Sequence, residues 1–197
     1  MVEVSAKLVG ELRNSTGAGF ADCKNALVEA NGDFEKAVTI LKKKGVATAA
    51  KKLGRAANEG VVESYIHGDG RIGVLLELNC ETDFVAKNSE FRKLARDICM
   101  HIAAASPLYI SRSEVSADLV EKEKEIATAQ AAGKPQHAID KIVEGKLDKW
   151  YQQICLLDQS FVKDQDKTVN DLIGAMIAII GENIRIGRFS RFKIGEQ

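Results

Sequence analysis

The sequence predicts an α+β protein in which a small helical domain precedes a core built around a β-sheet. Three patterns carry this prediction. The first 45 residues place apolar side chains at three- and four-residue spacing, which is typical of short helices. Residues 61–78 alternate apolar and polar positions around a glycine-rich turn, which indicates a β-hairpin. Residues 116–157 are helical in pattern but are interrupted by Gly133 and Pro135, which indicates a helical hairpin.

Residues 1–45 are expected to form a three-helix domain. The first helix has one apolar face, formed by Val4, Leu8 and Leu12. Asp33 follows a glycine turn and is a candidate N-cap for the third helix. Gly45 is placed to end that helix, since glycine is common just beyond a helix C-terminus.

The second domain is expected to span residues 59–197, after a basic connecting helix at residues 46–58. Six basic residues and no acidic residue lie between Lys42 and Arg55. This basic run is either a solvated helix face or a contact for an acidic partner surface.

In the core domain, two strands and a third near the C-terminus predict a three-stranded antiparallel sheet covered by helices. One apolar face of the second strand consists of Ile72, Val74, Leu76 and Leu78. A helix with Ser89 as candidate N-cap carries an apolar stripe between Phe91 and Ile102. A last helix is expected to begin at Thr168, and the hairpin at about residues 116–157 is expected to protrude from this domain.

The overall composition argues against several classes of function. Lys plus Arg and Asp plus Glu each number 28, and this balance is unlike the basic excess of most nucleic-acid binders. No apolar run is long enough to span a membrane. The N-terminus lacks the pattern of an export signal, so we expect a cytoplasmic protein, bacterial or from an organelle matrix after removal of a transit segment.

The cysteine and histidine spacings do not match a metal site. The four cysteines are widely spaced without a Cys-x-x-Cys pair, and buried free thiols are the expected state. The three histidines stand at no ligand spacing to one another or to cysteine. We therefore expect neither a metal site nor a cofactor.

Residues 82–88 are an unusual junction between a strand and a helix. Such junctions normally carry small polar residues, but here Asp83 is followed at once by Phe84. Burying a phenylalanine stabilises a protein by roughly 1.5–3 kcal/mol. Phe84 therefore either folds back into its own core or serves as a wedge for a partner protein.

Three motifs carry a resemblance to a known family. Residues 78–88 read Leu-Asn-Cys-Glu-Thr-Asp-Phe-Val-Ala-Lys-Asn, and residues 12–27 read Leu-Arg-Asn-Ser-Thr-Gly-Ala-Gly-Phe-Ala-Asp-Cys-Lys-Asn-Ala-Leu. Residues 100–105 read Met-His-Ile-Ala-Ala-Ala. Taken in their order along the chain, the three motifs resemble those of the elongation factor Ts family, the guanine-nucleotide exchange factors of the translational GTPase elongation factor Tu.

The resemblance implies two contacts with the GTPase, in its GDP-bound and nucleotide-free forms. The wedge that displaces Mg²⁺ would consist of Thr82, Asp83, Phe84 and Val85. The N-terminal domain, which resembles a ubiquitin-associated domain, would dock on the GTPase through Arg13, Gly17, Gly19, Asp22 and Lys24. A structural alternative is open for the docking set: the glycines would supply backbone freedom, and Arg13 would pair with Asp22 on the surface. His101 is either a further partner contact or a structural histidine.

The chain resembles the short form of the family, which has one core module and pairs as a homodimer. A sheet covered on one face leaves apolar area that a second copy could bury. Ser190 stands near the place where some short forms carry a linking cysteine, so the expected homodimer is non-covalent.

No catalytic constellation for covalent chemistry is recognisable, and we do not expect an enzyme. The leading hypothesis is exchange of GDP on elongation factor Tu. The alternative is an adaptor or assembly protein of the ubiquitin-associated type, in which the loop at residues 82–88 would be incidental. A nucleic-acid binder using Lys42–Arg55 is a third class, and it predicts an RNA affinity that falls steeply with salt.

Overall fold

The structure is a computed structural model that describes residues 4–196, apart from the side chains of residues 136 and 137. The chain forms two compact units. The first contains the chain up to Val61, Leu78–Arg92 and Asp171–Arg185, and the second contains Val62–Glu77, Lys93–Asn170 and the chain from Ile186 onward. The domain boundaries expected from the sequence stay a prediction.

The elements follow the α+β order expected from the sequence. The helices are α1 (Ala6–Thr16), α2 (Phe20–Glu29), α3 (Phe34–Lys52), α4 (Asp83–Ala86), α5 (Ser89–Ala105), α6 (Ala117–Gln130), α7 (Gln136–Ile154) and α8 (Val169–Ile180). The strands are β1 (Glu59–His67), β2 (Ile72–Cys80), β3 (Ser160–Phe161), β4 (Asp164–Thr168) and β5 (Arg185–Lys193). No helix within residues 4–196 is long and apolar enough to cross a membrane.

The three N-terminal helices pack around a small core of their own. Its buried residues are Val9, Leu12, Cys23, Ala26, Leu27, Ala30, Ala37 and Leu41. The Ser5 hydroxyl accepts a hydrogen bond from the Leu8 amide, and Asp33 caps α3 by accepting one from the Lys36 amide. These caps satisfy amides that have no partner inside their helices, and the predicted role of Asp33 is confirmed.

The third helix does not end at Gly45, contrary to the prediction from the sequence. It continues to Lys52, so the expected connecting helix is largely the second half of α3. A methyl group at Gly45 would lie 3.2 Å from the Ala178 Cβ. Gly45 therefore allows α8 to approach α3 closely, and α3 continues through it although glycine inside a helix costs about 1 kcal/mol.

The main sheet is three-stranded and antiparallel in the order β1-β2-β5, as predicted. A tight turn joins β1 to β2, with the His67 carbonyl accepting a hydrogen bond from the Arg71 amide. Val74, Leu76 and Leu78 of β2 are buried and Ile72 is half-buried, which confirms the predicted apolar face.

The helices that follow β2 form the predicted pattern with two local differences. Asn88, not Ser89, caps α5, because its side-chain oxygen accepts hydrogen bonds from the amides of Glu90 and Phe91. Helices α6 and α7 pack against each other as a helical hairpin. The short hairpin of β3 and β4 lies between α7 and α8, and the sequence pattern did not predict it.

Candidate functional site

The loop at residues 82–85 follows β2 directly and contains the single turn of α4. Thr82 is the N-cap of this turn: its hydroxyl oxygen accepts a hydrogen bond from the Val85 amide at 3.4 Å. The Thr82 carbonyl accepts one from the Ala86 amide at 3.2 Å and one from the Cys80 thiol at 3.2 Å. Burial raises the pKa of Cys80 to about 11, so the thiol keeps the proton that it donates. The start of the loop is thus held by its own side chains and backbone.

Phe84 stands out from this ordered turn. It is 80% exposed, more than any other large apolar side chain in the described part of the chain. Val85 is half-buried and Ala86 is buried, so the turn itself packs on the protein while the ring of Phe84 does not. The hypothesis that Phe84 folds into its own core is therefore wrong, and most of the apolar surface of its ring is available to a partner.

Asp83 places a negative charge next to the exposed ring. Its carboxylate accepts a hydrogen bond from the Lys87 ammonium at 2.7 Å. This hydrogen bond holds the pKa of Asp83 below its usual range, although a slight loss of solvation opposes the shift. Asp83 is exposed and lies in the first turn of α4, where a negative charge is favoured.

Glu182 lies beneath the loop and was not anticipated from the sequence. Its carboxylate accepts hydrogen bonds from the amides of Glu81 at 3.1 Å and Thr82 at 3.0 Å, and from the Thr82 hydroxyl at 2.7 Å. About 100 residues of sequence separate it from the loop, so no local pattern could have linked the two. Only its place between the last helix and the last strand, next to a glycine, marks it as a residue of a turn.

Gly17 and Gly19 differ in whether their backbone conformation requires glycine. Gly17 ends α1 in the left-handed conformation with φ of 68°, and its amide donates to the Arg13 carbonyl at 2.8 Å. A methyl group at Gly17 would also lie 2.9 Å from the Ile179 Cδ1. Gly19 has φ of −61°, which any residue adopts, and a methyl group there would meet only ordinary contact. Backbone freedom thus explains Gly17 but not Gly19.

The charged residues of the N-terminal motif are on the surface of α1 and α2. Asp22 pairs with Lys44 of α3 at 2.6 Å, so the expected surface ion pair of Asp22 with Arg13 is not the one that forms. Arg13 and Lys24 are exposed, and Phe20, between them in sequence, is 51% exposed. These residues and the loop at 82–85 belong to the same compact unit.

His101 is fully buried and belongs to the second unit. Its Nε2 is 2.9 Å from the Gln159 Oε1, and the Val162 amide donates to its Nδ1 at 3.3 Å. This arrangement fits a neutral ring with its proton on Nε2. The buried ring offers no surface to a partner, so the burial favours the structural alternative for His101.

The burial of His101 predicts that the protein loses stability on mild acidification. Burial lowers the pKa of His101 from its ordinary value of 6.5, although the hydrogen bond with Gln159 opposes this shift. The unfolded chain therefore takes up the proton first, and stability falls as the pH drops below 6.5 towards the folded-state pKa. We expect the free energy of unfolding of the wild type to fall faster than that of His101→Gln, by at most about 1.4 kcal/mol per pH unit.

Urea unfolding at several pH values between 7.5 and 5 measures this difference. His101→Gln is the matched variant, because its amide can still donate to the Gln159 oxygen but cannot titrate. Parallel stability profiles for the two proteins in this range would show that His101 does not carry the pH dependence.

Comparison with known proteins places the chain in a family. The family model described as elongation factor Ts matches residues 21–196. The elongation factor Ts of Caldanaerobacter subterraneus subsp. tengcongensis is 62% identical over 195 residues, which cover 98% of each chain. That of Acetivibrio thermocellus is 63% identical over 98% of this chain and 91% of its own, and that of Geobacter sulfurreducens is 57% identical over 99% and 91%. With its motifs on an exposed loop and on a three-helix surface, the chain belongs to the elongation factor Ts family of translation elongation factors.

Proposed function

We propose that this protein is the guanine-nucleotide exchange factor of elongation factor Tu. It binds the GDP-bound GTPase, displaces Mg²⁺ and promotes release of GDP so that GTP can bind. The observation that carries the proposal is the exposure of Phe84 on a turn whose base is anchored, within a motif that resembles one of the family. No reaction chemistry is required for this function, only binding that differs between states of the GTPase.

Burial of the exposed Phe84 ring, together with docking, can supply the free energy that exchange requires. A factor that binds nucleotide-free GTPase more tightly than the GDP form must weaken GDP binding by the same ratio. A thousandfold weakening corresponds to about 4 kcal/mol. Burying the exposed ring of Phe84 supplies roughly 1.5–3 kcal/mol of this, and the wider docking surface supplies the rest.

Each residue of the loop has a role that fits its position. Phe84 inserts between side chains of the GTPase near its Mg²⁺ site. Asp83, charged and exposed, hydrogen-bonds to groups of the partner that line the insertion. Thr82 and Val85 fix the geometry of the turn through the hydrogen bond between them.

The N-terminal helices provide the second contact. Arg13 and Lys24 are exposed and offer cationic side chains to the GTPase nucleotide domain. Gly17 and Gly19 shape the connection between α1 and α2, where the chain can approach a partner closely. Asp22 holds Lys44 beside this surface through their ion pair.

Release of a fluorescent GDP analogue from elongation factor Tu tests the proposed function. Substoichiometric amounts of this protein should accelerate release at least tenfold, and excess Mg²⁺ should oppose the acceleration. A release rate that does not change at any concentration of the protein would overturn the proposal and favour the adaptor hypothesis.

We also propose that two copies of the chain pair through the outer face of the main sheet. In the second unit this face carries four well-exposed apolar side chains: Val62 at 71%, Ile66 at 65%, Leu75 at 50% and Phe192 at 70%. Val62 and Ile66 are four residues apart and therefore lie on the same side of β1. The Arg188–Glu77 ion pair joins β5 to β2 on the same face. An apolar face of this kind is typical of an interface between subunits.

Phe192→Glu tests the homodimer directly. A buried charge without a partner should weaken association by about 3 kcal/mol, or about 100-fold in Kd. Sedimentation equilibrium measures this, with Leu108→Glu as the matched control because Leu108 is 69% exposed but lies outside the sheet. Equal association of both variants and the wild type, or a monomeric wild type, would refute the interface.

A further inference from the structure

At the base of the loop, Glu81 and Glu182 each accept hydrogen bonds from backbone amides of the other's chain segment. Glu182 accepts hydrogen bonds from the amides of Glu81 and Thr82. In return, the Glu81 carboxylate accepts one from the Asn183 amide at 2.6 Å. Each carboxylate thus satisfies the backbone of the other segment, so the end of β2 and the residues before β5 are fixed to each other twice.

Thr82 is the residue that these hydrogen bonds hold most completely. Its amide and its hydroxyl both donate to Glu182, at 3.0 Å and 2.7 Å. Its hydroxyl oxygen also accepts from the Val85 amide, and its carbonyl accepts from Cys80 and Ala86. Every polar atom of Thr82 is therefore engaged, and the hydroxyl links the Glu182 carboxylate to the turn that carries Phe84.

Arg55, in the segment between α3 and β1, contacts both Glu81 and Asn183. The Arg55 guanidinium lies 3.6 Å from the Glu81 carboxylate, and the Arg55 carbonyl accepts a hydrogen bond from the Asn183 side chain at 2.8 Å. Glu81 and Asn183 are thereby held in place independently of Glu182. Removal of the Glu182 carboxylate should consequently release the loop without unfolding the segments below it.

We propose that Glu182 is a positioning residue for nucleotide exchange, an inference that rests on the proposed function. It acts through Thr82, holding the turn of α4 in the one conformation that projects Phe84 from the surface. Without the carboxylate, the amides of Glu81 and Thr82 lose their acceptor and the N-cap is free to rotate. The loop would then populate several conformations, and each insertion of Phe84 would carry the entropic cost of selecting one.

The matched pair Glu182→Ala and Glu182→Gln tests this role. Alanine removes all three hydrogen bonds. Glutamine keeps an oxygen for the two amides, and its NH₂ group can donate to the Thr82 hydroxyl, which is able to accept. We expect the maximal rate of GDP release from elongation factor Tu to fall about tenfold for Glu182→Ala, and glutamine to restore it to within about threefold of the wild type.

The dependence of the rate on protein concentration separates positioning from folding. A variant that is partly unfolded has fewer active molecules, so its half-saturating concentration rises while its maximal rate is unchanged. A misplaced wedge on an intact docking surface has the opposite effect, a lower maximal rate with a half-saturating concentration within about twofold of the wild type. An unchanged maximal rate for Glu182→Ala would overturn the proposal.

Amide hydrogen exchange tests the position of the loop without the GTPase. In Glu182→Ala, the amides of Glu81, Thr82 and Val85 should exchange faster than in the wild type, while those of α6 and α7 should not change. Unchanged protection of the three loop amides would also overturn the proposal, whatever the release rates. If the wild type does not accelerate release, the proposed function fails, and the amide measurement still decides whether Glu182 holds the loop.

Discussion

Phe84→Ala is expected to slow release of GDP from elongation factor Tu about 30-fold relative to the wild type. The methyl group of alanine leaves most of the apolar contact unmade, and a loss of about 2 kcal/mol corresponds to this factor. Because Phe84 is 80% exposed in the free protein, its removal costs the fold little. Stopped-flow release of a fluorescent GDP analogue at saturating protein measures the effect.

Leu108→Ala is the matched control for this prediction. Leu108 is also a well-exposed apolar side chain, at 69%, and it lies outside the loop and outside the N-terminal helices. Its replacement should leave the release rate within about twofold of the wild type and the thermal midpoint almost unchanged. If Phe84→Ala releases GDP as fast as the wild type, Phe84 is not the wedge, and exchange must depend on the wider docking surface.

The fold was predictable where apolar residues repeat with one period over several turns or strands. The stripe on α5 and the alternation in β2 were predicted correctly: the residues of the stripe are buried, and so is the predicted face of β2 apart from the half-buried Ile72. The hairpin of β3 and β4 was missed because β4 reads Asp-Gln-Asp-Lys-Thr, with no apolar face to reveal a strand. The end of α3 was misplaced because Gly45 is set by its contact with α8, which lies far away in sequence.

The sequence was sufficient to predict the motif of the candidate site, but not the contacts that hold its residues in place. Residue type alone favours burial of a phenylalanine, and the exposure of Phe84 follows only from the way the turn of α4 packs. The role of Asp22 depends on the position of Lys44, 22 residues later, which brings a nearer cation than Arg13. Glu182 could not have been linked to Thr82 from the sequence, since the bond between them requires the fold to bring two distant segments together.

Gly60→Ala is expected to destabilise the protein by about 3 kcal/mol or more. Gly60 has φ of 152°, a conformation that residues with a side chain rarely adopt. A methyl group there would lie 2.2 Å from the Leu78 carbonyl oxygen and 2.8 Å from the Asn79 Cα. Both are backbone atoms, so no side-chain rotation can relieve the clash, and β1 would have to move away from β2.

Gly174→Ala provides the control, because the same methyl group there meets nothing within 4 Å on α8. Alanine is favoured over glycine inside a helix, so this variant should gain up to about 1 kcal/mol. Urea unfolding followed by circular dichroism compares the two, and equal stabilities would contradict the steric argument.

The Gly60→Ala substitution should also affect function. Leu78 lies at the end of β2 that leads into Thr82, so a shift at Gly60 displaces the base of the loop. The folded fraction of Gly60→Ala should therefore accelerate GDP release from elongation factor Tu less than the loss of stability alone would explain.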